Sequence, residues 1–171
     1  MPRAEVFDPE EVAIGHFYTR TVRRCFLMGD DPVSGKNFDH RKAWIEGYLQ
    51  QFAAYFGIDL LAFSILSNHF HLVLKSRPDV VATWSDEEVA RRWMMLCPHH
   101  RKADGTPMEP TQPEINSIAK CPVKLAEIRS RLSNASWWMR LLCQRVAQRA
   151  NHEDGESGRF FQDRFRATRL S

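Results

Sequence analysis

Two apolar runs, IDLLAFSIL (Ile58 to Leu66) and HFHLVLKS (His69 to Ser76), are separated only by Ser67 and Asn68. Runs of this length, rich in β-branched and aromatic residues, read as strands. So short a link admits only an antiparallel hairpin, because a parallel return needs a crossover of a dozen or more residues. The first run is apolar almost throughout, the pattern of a strand central in its sheet. In the second, side chains alternate between faces, so Phe70, Leu72 and Leu74 should meet a core while His69, His71, Val73 and Lys75 share the other side.

Other segments fit around this hairpin. HFYTRTVRRCFLMG (His16 to Gly29) reads as an earlier strand that stops at a glycine, followed by the turn-rich DDPVSGKN. From Asp39, a candidate N-cap, Trp44, Ile45, Tyr48, Leu49, Phe52, Ala53 and Phe56 recur at helical spacing up to Gly57. Ser85 with Glu88 suggests a capping box opening a helix through Val89, Trp93 and Leu96. Residues 97–114 are rich in proline and polar residues and read as loop, and a further helix is expected from about Val123 to Leu132. SWWMRLLCQRVAQRAN (Ser136 to Asn151) places Trp138, Leu141, Leu142 and Val146 on one helical face. RFFQDRFRATRL (Arg159 to Leu170) reads as a last strand. The order is βαββ, a helical insertion at about 82–122, then α and β, in one α+β domain spanning 1–171 with an antiparallel sheet.

No apolar run approaches the roughly 18 residues that span a bilayer, and MPRAEVFDPEE lacks the apolar centre of a signal peptide. A cytoplasmic protein with no membrane partner is expected. Cys25, Cys97, Cys121 and Cys143 are too scattered for a zinc ribbon or a disulfide framework, so free thiols are expected. A weaker idea is a structural metal site built from Cys97, His99 and His100. The net charge is only +3, but arginines gather from Arg140 onward, which marks that end for a polyanion or for a solvated basic face.

Two imidazoles at alternate positions of one strand are placed to bind a single divalent ion through one nitrogen each, although a bare H-x-H also occurs at ordinary strand starts. A histidine-triad hydrolase requires a third alternating histidine where Val73 stands. Two-histidine phosphoesterases require a second H-x-Ser/Thr, which His16, His40, His99, His100 and His152 do not supply. The remaining chemistry is that of the histidine-hydrophobic-histidine class, in which a metal polarises a DNA phosphate, with Phe70 as the hydrophobic residue.

FYTRTVRRCFL, GIDLLAFSIL, LSNHFHLVL, WWMRLLCQRVAQRAN and GRFFQDRFRA, in this order, resemble segments of the single-tyrosine H-U-H transposases, notably the insertion-sequence-200-like and REP-associated types. The resemblance implies a ferredoxin-like (RRM-like) sandwich that acts as a homodimer on single-stranded or hairpin DNA. It implies Mg2+ or Mn2+ held by His69 and His71, and cleavage and rejoining through a 5′-phosphotyrosine that conserves the phosphoester energy. Arg23, Arg24, Lys75, Arg164, Arg166 and Arg169 are candidate phosphate contacts. Phe160, Phe161 and Phe165 are candidates for base stacking or for core packing. The family's tyrosine lies on a helix beyond the last matching strand. Tyr18, Tyr48 and Tyr55 do not occupy that place, so the catalytic tyrosine is unidentified and a truncated or degenerate member is expected. The alternative function is a catalytically inactive, domesticated module that binds hairpin DNA or RNA.

Overall fold

A computed structural model describes residues 7–22 and 25–170. In chain order the elements are β1 (Ala13–Arg20), α1 (Asp39–Tyr55), β2 (Ile58–Ile65), β3 (His69–Ser76), α2 (Pro78–Val81), α3 (Asp86–Leu96), α4 (Gln112–Ala119), α5 (Pro122–Leu132), α6 (Ala135–Asp154) and β4 (Arg166–Leu170). The strands form one sheet in the order β2-β3-β1-β4, and each neighbouring pair is antiparallel. This is an α+β architecture with a sheet backed by helices. Among the described residues no helix is long and apolar enough to cross a membrane.

The hairpin forms as its short link requires, but β2 lies at the sheet edge rather than at its centre. The pairing slips between Leu60 and Ala62, and Leu61 and Phe63 are 51% and 46% exposed. Apolar content marked β2 as a strand without revealing that only one neighbour would pair with it. The central strands are β3 and β1. Phe70, Leu72 and Leu74 of β3 and Phe17 of β1 are buried on the helix side.

The first strand is also shorter than its composition suggests. Past Arg20, Thr21 N–H donates to Asn68 O and Leu27 N–H to Ser67 O, so the chain wraps around the hairpin turn instead of extending the sheet. Likewise β4 begins only at Arg166. Phe160 and Phe165 are buried in the core, while Phe161 bridges to Thr21.

Against the sheet, α1 buries Ile45, Leu49 and Phe52, and α6 buries Trp138, Leu142 and Val146. Phe52 and Phe56 meet the Trp138 ring with centroids 5.4 Å apart in both cases. Arg41 continues the buried stripe of α1 and is fully enclosed. Its guanidinium donates to Phe26 O, Glu153 and Asp154 and lies 4.5 Å over the Phe38 ring. A buried cation survives only with such partners, and here they tie the start of α1 to the end of α6. Burial opposes ionisation of Glu153, but the hydrogen bonds from His40 and Arg41 hold its carboxyl below the usual range.

Phe38, not Asp39, is the N-cap of α1, because the Asp39 carboxylate is occupied by the Gly29 and Asn37 groups. Ser85 accepts from Glu88 N–H, but the Glu88 carboxylate pairs with Arg92, which leaves half a capping box. The full box belongs to Thr111 and Glu114 at α4, inside the region read as loop up to Glu114. Within 82–122 the chain is helical over Asp86–Leu96 and Gln112–Ala119, with non-helical chain between them. α6 stops at Gly155, whose φ of 65° is the left-handed conformation that glycine adopts cheaply.

Gly57 joins α1 to β2 where no side chain fits. Its N–H donates to Leu132 O, and a Cβ there would lie 2.1 Å from Val81 Cγ2. Gly57→Ala is therefore expected to destabilise the protein by about 1–3 kcal/mol, the range for overpacking a filled core. A thermal melt reads this as a lowered midpoint; an unchanged midpoint would mean that the buried Val81 yields without cost.

Candidate functional site on the open sheet face

Because β1 and β3 turn Phe17, Phe70, Leu72 and Leu74 inward, the alternate residues must point to the opposite side of the sheet. The register lines them up in rungs. One rung crosses the sheet as Ser64, His71, Tyr18 and Arg166, and the next as Ala62, Val73, His16 and Thr168. His69 lies opposite Arg20, and Lys75 lies between Asp59 and Ile14. The edge residues of this face are exposed, and His16, Tyr18, His69 and His71 at its middle are half-buried.

The expected pair thus becomes part of a four-ring cluster. The His69 and His71 centroids are 5.2 Å apart, with the rings nearly perpendicular. His16 stacks on His71 at 5.1 Å and Tyr18 stacks on it at 5.2 Å, both nearly parallel. His69 Nδ1 lies 2.8 Å from Asn68 Oδ1, and His71 Nδ1 lies 2.9 Å from His16 Nε2. An amide oxygen only accepts, so the neutral His69 ring carries its proton on Nδ1 and keeps the lone pair of Nε2 free. If His71 Nδ1 donates to His16, the same holds for His71. Burial, followed by the neighbouring His16 and His69, holds the His71 pKa below the ordinary histidine value and favours the neutral ring that a metal requires.

The sequence alone does not place His16 and Tyr18 in the site. Their alternation on β1 was visible in the sequence, but the β1–β3 register that aligns them with His71 was not. Among the described residues no group of three or more His, Cys, Asp or Glu side chains could hold a metal. At the expected Cys97, His99 and His100 site, His99 pairs with Glu114 at 3.1 Å, and the Cys97 sulfur lies 3.8 Å from the Arg145 guanidinium.

The candidate phosphate contacts separate by position. Lys75 and Arg166 share the histidine face, and Arg164 is exposed just before β4. Arg169 pairs across from Gly15, so it points away from the histidines, and it bonds Glu11 at 2.8 Å. Arg23 and Arg24 lie outside the described residues. Of the other tyrosines, Tyr48 accepts from Arg149 and Tyr55 packs beneath Arg91.

The Asn68 contact has a spectroscopic signature. Long-range 15N–1H correlation spectra should show His69 as its Nδ1–H tautomer, and Asn68→Ala should move it toward Nε2–H; a wild-type Nε2–H pattern would contradict the hydrogen bond. In comparisons with known proteins, no family model matches the chain and no curated protein is significantly similar to it.

Proposed function

We propose that the chain is a DNA-strand-handling domain of the single-tyrosine H-U-H transposase type, which grips a phosphodiester on the open face of its sheet. The observation that carries the reading is the His69–His71 pair on a central strand, with both Nδ1 atoms engaged by neighbours. The strand order, with β1 and β3 central, supports a ferredoxin-like sandwich. A homodimer belongs to the proposal through the resemblance alone.

The donor set fits Mg2+ or Mn2+ in part. His69 and His71 offer two neutral nitrogen ligands whose rings are oriented by Asn68 and His16, the outer-shell arrangement that metal-binding histidines use. Oxygen atoms from water and phosphate suit the remaining positions of a hard cation. Bound there, a divalent ion would withdraw charge from a phosphate oxygen and favour attack at phosphorus. The protein's own part is to fix the two imidazoles, to hold neighbouring phosphates with Lys75 and Arg166, and to offer an aromatic surface at Tyr18.

The second reading is a DNA- or RNA-binding module without cleavage. Tyr18 favours it: the one tyrosine on this face is stacked on His71, and no hydrogen bond joins its hydroxyl to a base among the described residues. Titration of a fluorescent single-stranded oligonucleotide distinguishes the readings. On the first, Mn2+ strengthens binding and the double substitution His69→Ala/His71→Ala removes that gain, while His16→Ala weakens metal affinity about 10-fold. Binding that is equal with and without Mn2+ and unaffected by the histidine substitutions would leave only the module.

A further inference from the structure

On the helix side of the sheet, a cleft of about 600 Å3 opens between the first turns of α6 and the segment leading into β4. Asn134, Trp137, Arg140, Cys143, Asp163 and Arg164 contribute to its walls. Its volume is in the range of small-ligand pockets. Cys143 offers no chemistry, because burial pushes its thiol up to about 12. The informative feature is the state of the arginines.

Several arginines of the fold are neutralised by acids: Arg41, Arg77, Arg91, Arg92, Arg129 and Arg169 each bond a carboxylate. Among the described residues neither Arg140 nor Arg164 forms an ion pair with an acid, and both are exposed. Arg140 lies 4.7 Å over the Trp137 ring, and Arg131 lies 4.2 Å over the same ring with only a 3.8 Å approach to Glu127. An indole orders a guanidinium without cancelling its charge, so the cations are positioned in advance and still seek an anion. One acid, Asp163, lines the cleft against them.

The cleft is joined to the histidine face. Arg164 is two residues before Arg166, roughly 7 Å of extended chain, and Arg166 is the β4 member of the rung that contains Tyr18 and His71. We propose that the Trp137–Arg140–Arg164 cleft is a second phosphate-binding site, which takes the backbone of a single-stranded DNA after it leaves the histidine face around the β4 edge. The occupant follows from charge and from continuity: an extended polyanion is required to reach Arg166 and the cleft together. The inference rests on the DNA-binding reading above and places a specific contact outside the H-x-H face.

The test uses the full chain and a labelled mixed-sequence single strand of about 20 nucleotides, titrated between about 50 and 200 mM salt. Arg140→Gln/Arg164→Gln should weaken binding about tenfold at low salt and make the salt slope shallower by about 1.4, since each single-strand phosphate contact contributes about 0.7. Arg164→Gln alone, at an exposed side chain, should remove about half of that slope change without a folding effect. Lys42→Gln/Lys124→Gln matches the loss of charge away from the cleft and should change little. If the cleft and control variants behave alike, the cleft is not a binding site. If they do so while His69→Ala/His71→Ala still removes the Mn2+ effect, the cleft alone falls; if the unsubstituted chain does not bind the strand, both proposals fall.

Discussion

The structure depends on the two-faced pleat of its central strands. With Phe17, Phe70, Leu72 and Leu74 committed to the helix layer, period-two geometry leaves His16, Tyr18, His69 and His71 nowhere to go but the opposite face. Burying each large apolar side chain contributes roughly 1.5–3 kcal/mol. A one-residue slip of β3 would bury imidazoles and expose Phe70, Leu72 and Leu74 together, so the same energy that holds the core fixes the site. The hairpin turn adds local precision: Thr21 and Leu27 donate to the Asn68 and Ser67 carbonyls, and the Asn68 side chain in turn orients His69.

The charged groups fall into two populations. Arg41 is a structural cation, enclosed by Phe38, Glu153 and Asp154, and its loss would leave Asp154 without its ion-pair partner among the described residues and Glu153 with His40 alone. Because the folded-state pKa of Glu153 is depressed, its stabilisation is complete above the ordinary carboxylate pKa and fades as pH falls through the lower folded value. Among the described residues no acid forms an ion pair with Arg140, Arg164 or Arg166. A modest net charge of +3 therefore conceals three arginines that form no ion pair among the described residues, with Asp163 the acid beside Arg164 in the cleft lining.

Much of this was legible from spacing. The short Ser67–Asn68 link gave the antiparallel hairpin, the three- and four-residue recurrence gave α1 and α6, and alternation gave the face shared by His69, His71 and Lys75. What could not be read locally was pairing between distant segments. An apolar run does not state whether it has one neighbour or two, hence the edge position of β2. Strand composition in residues 21–22, 25–29 and 159–165 was overridden by hydrogen bonds to the hairpin turn and by burial of Phe160 and Phe165. His16 entered the site through a register set only when β1 met β3, and the Trp137 cleft depended on a helix start meeting a distant pre-strand segment.

On the proposed function, the open sheet face is the face that holds the metal. Paramagnetic broadening by substoichiometric Mn2+ tests it without relying on cleavage or on DNA. The account predicts that backbone resonances of His16, Tyr18, Ser64, His69 and His71 broaden first and that those of His99, His100 and the α6 residues lining the cleft persist. Broadening centred on His99 and His100, or no selective broadening at all, would contradict it.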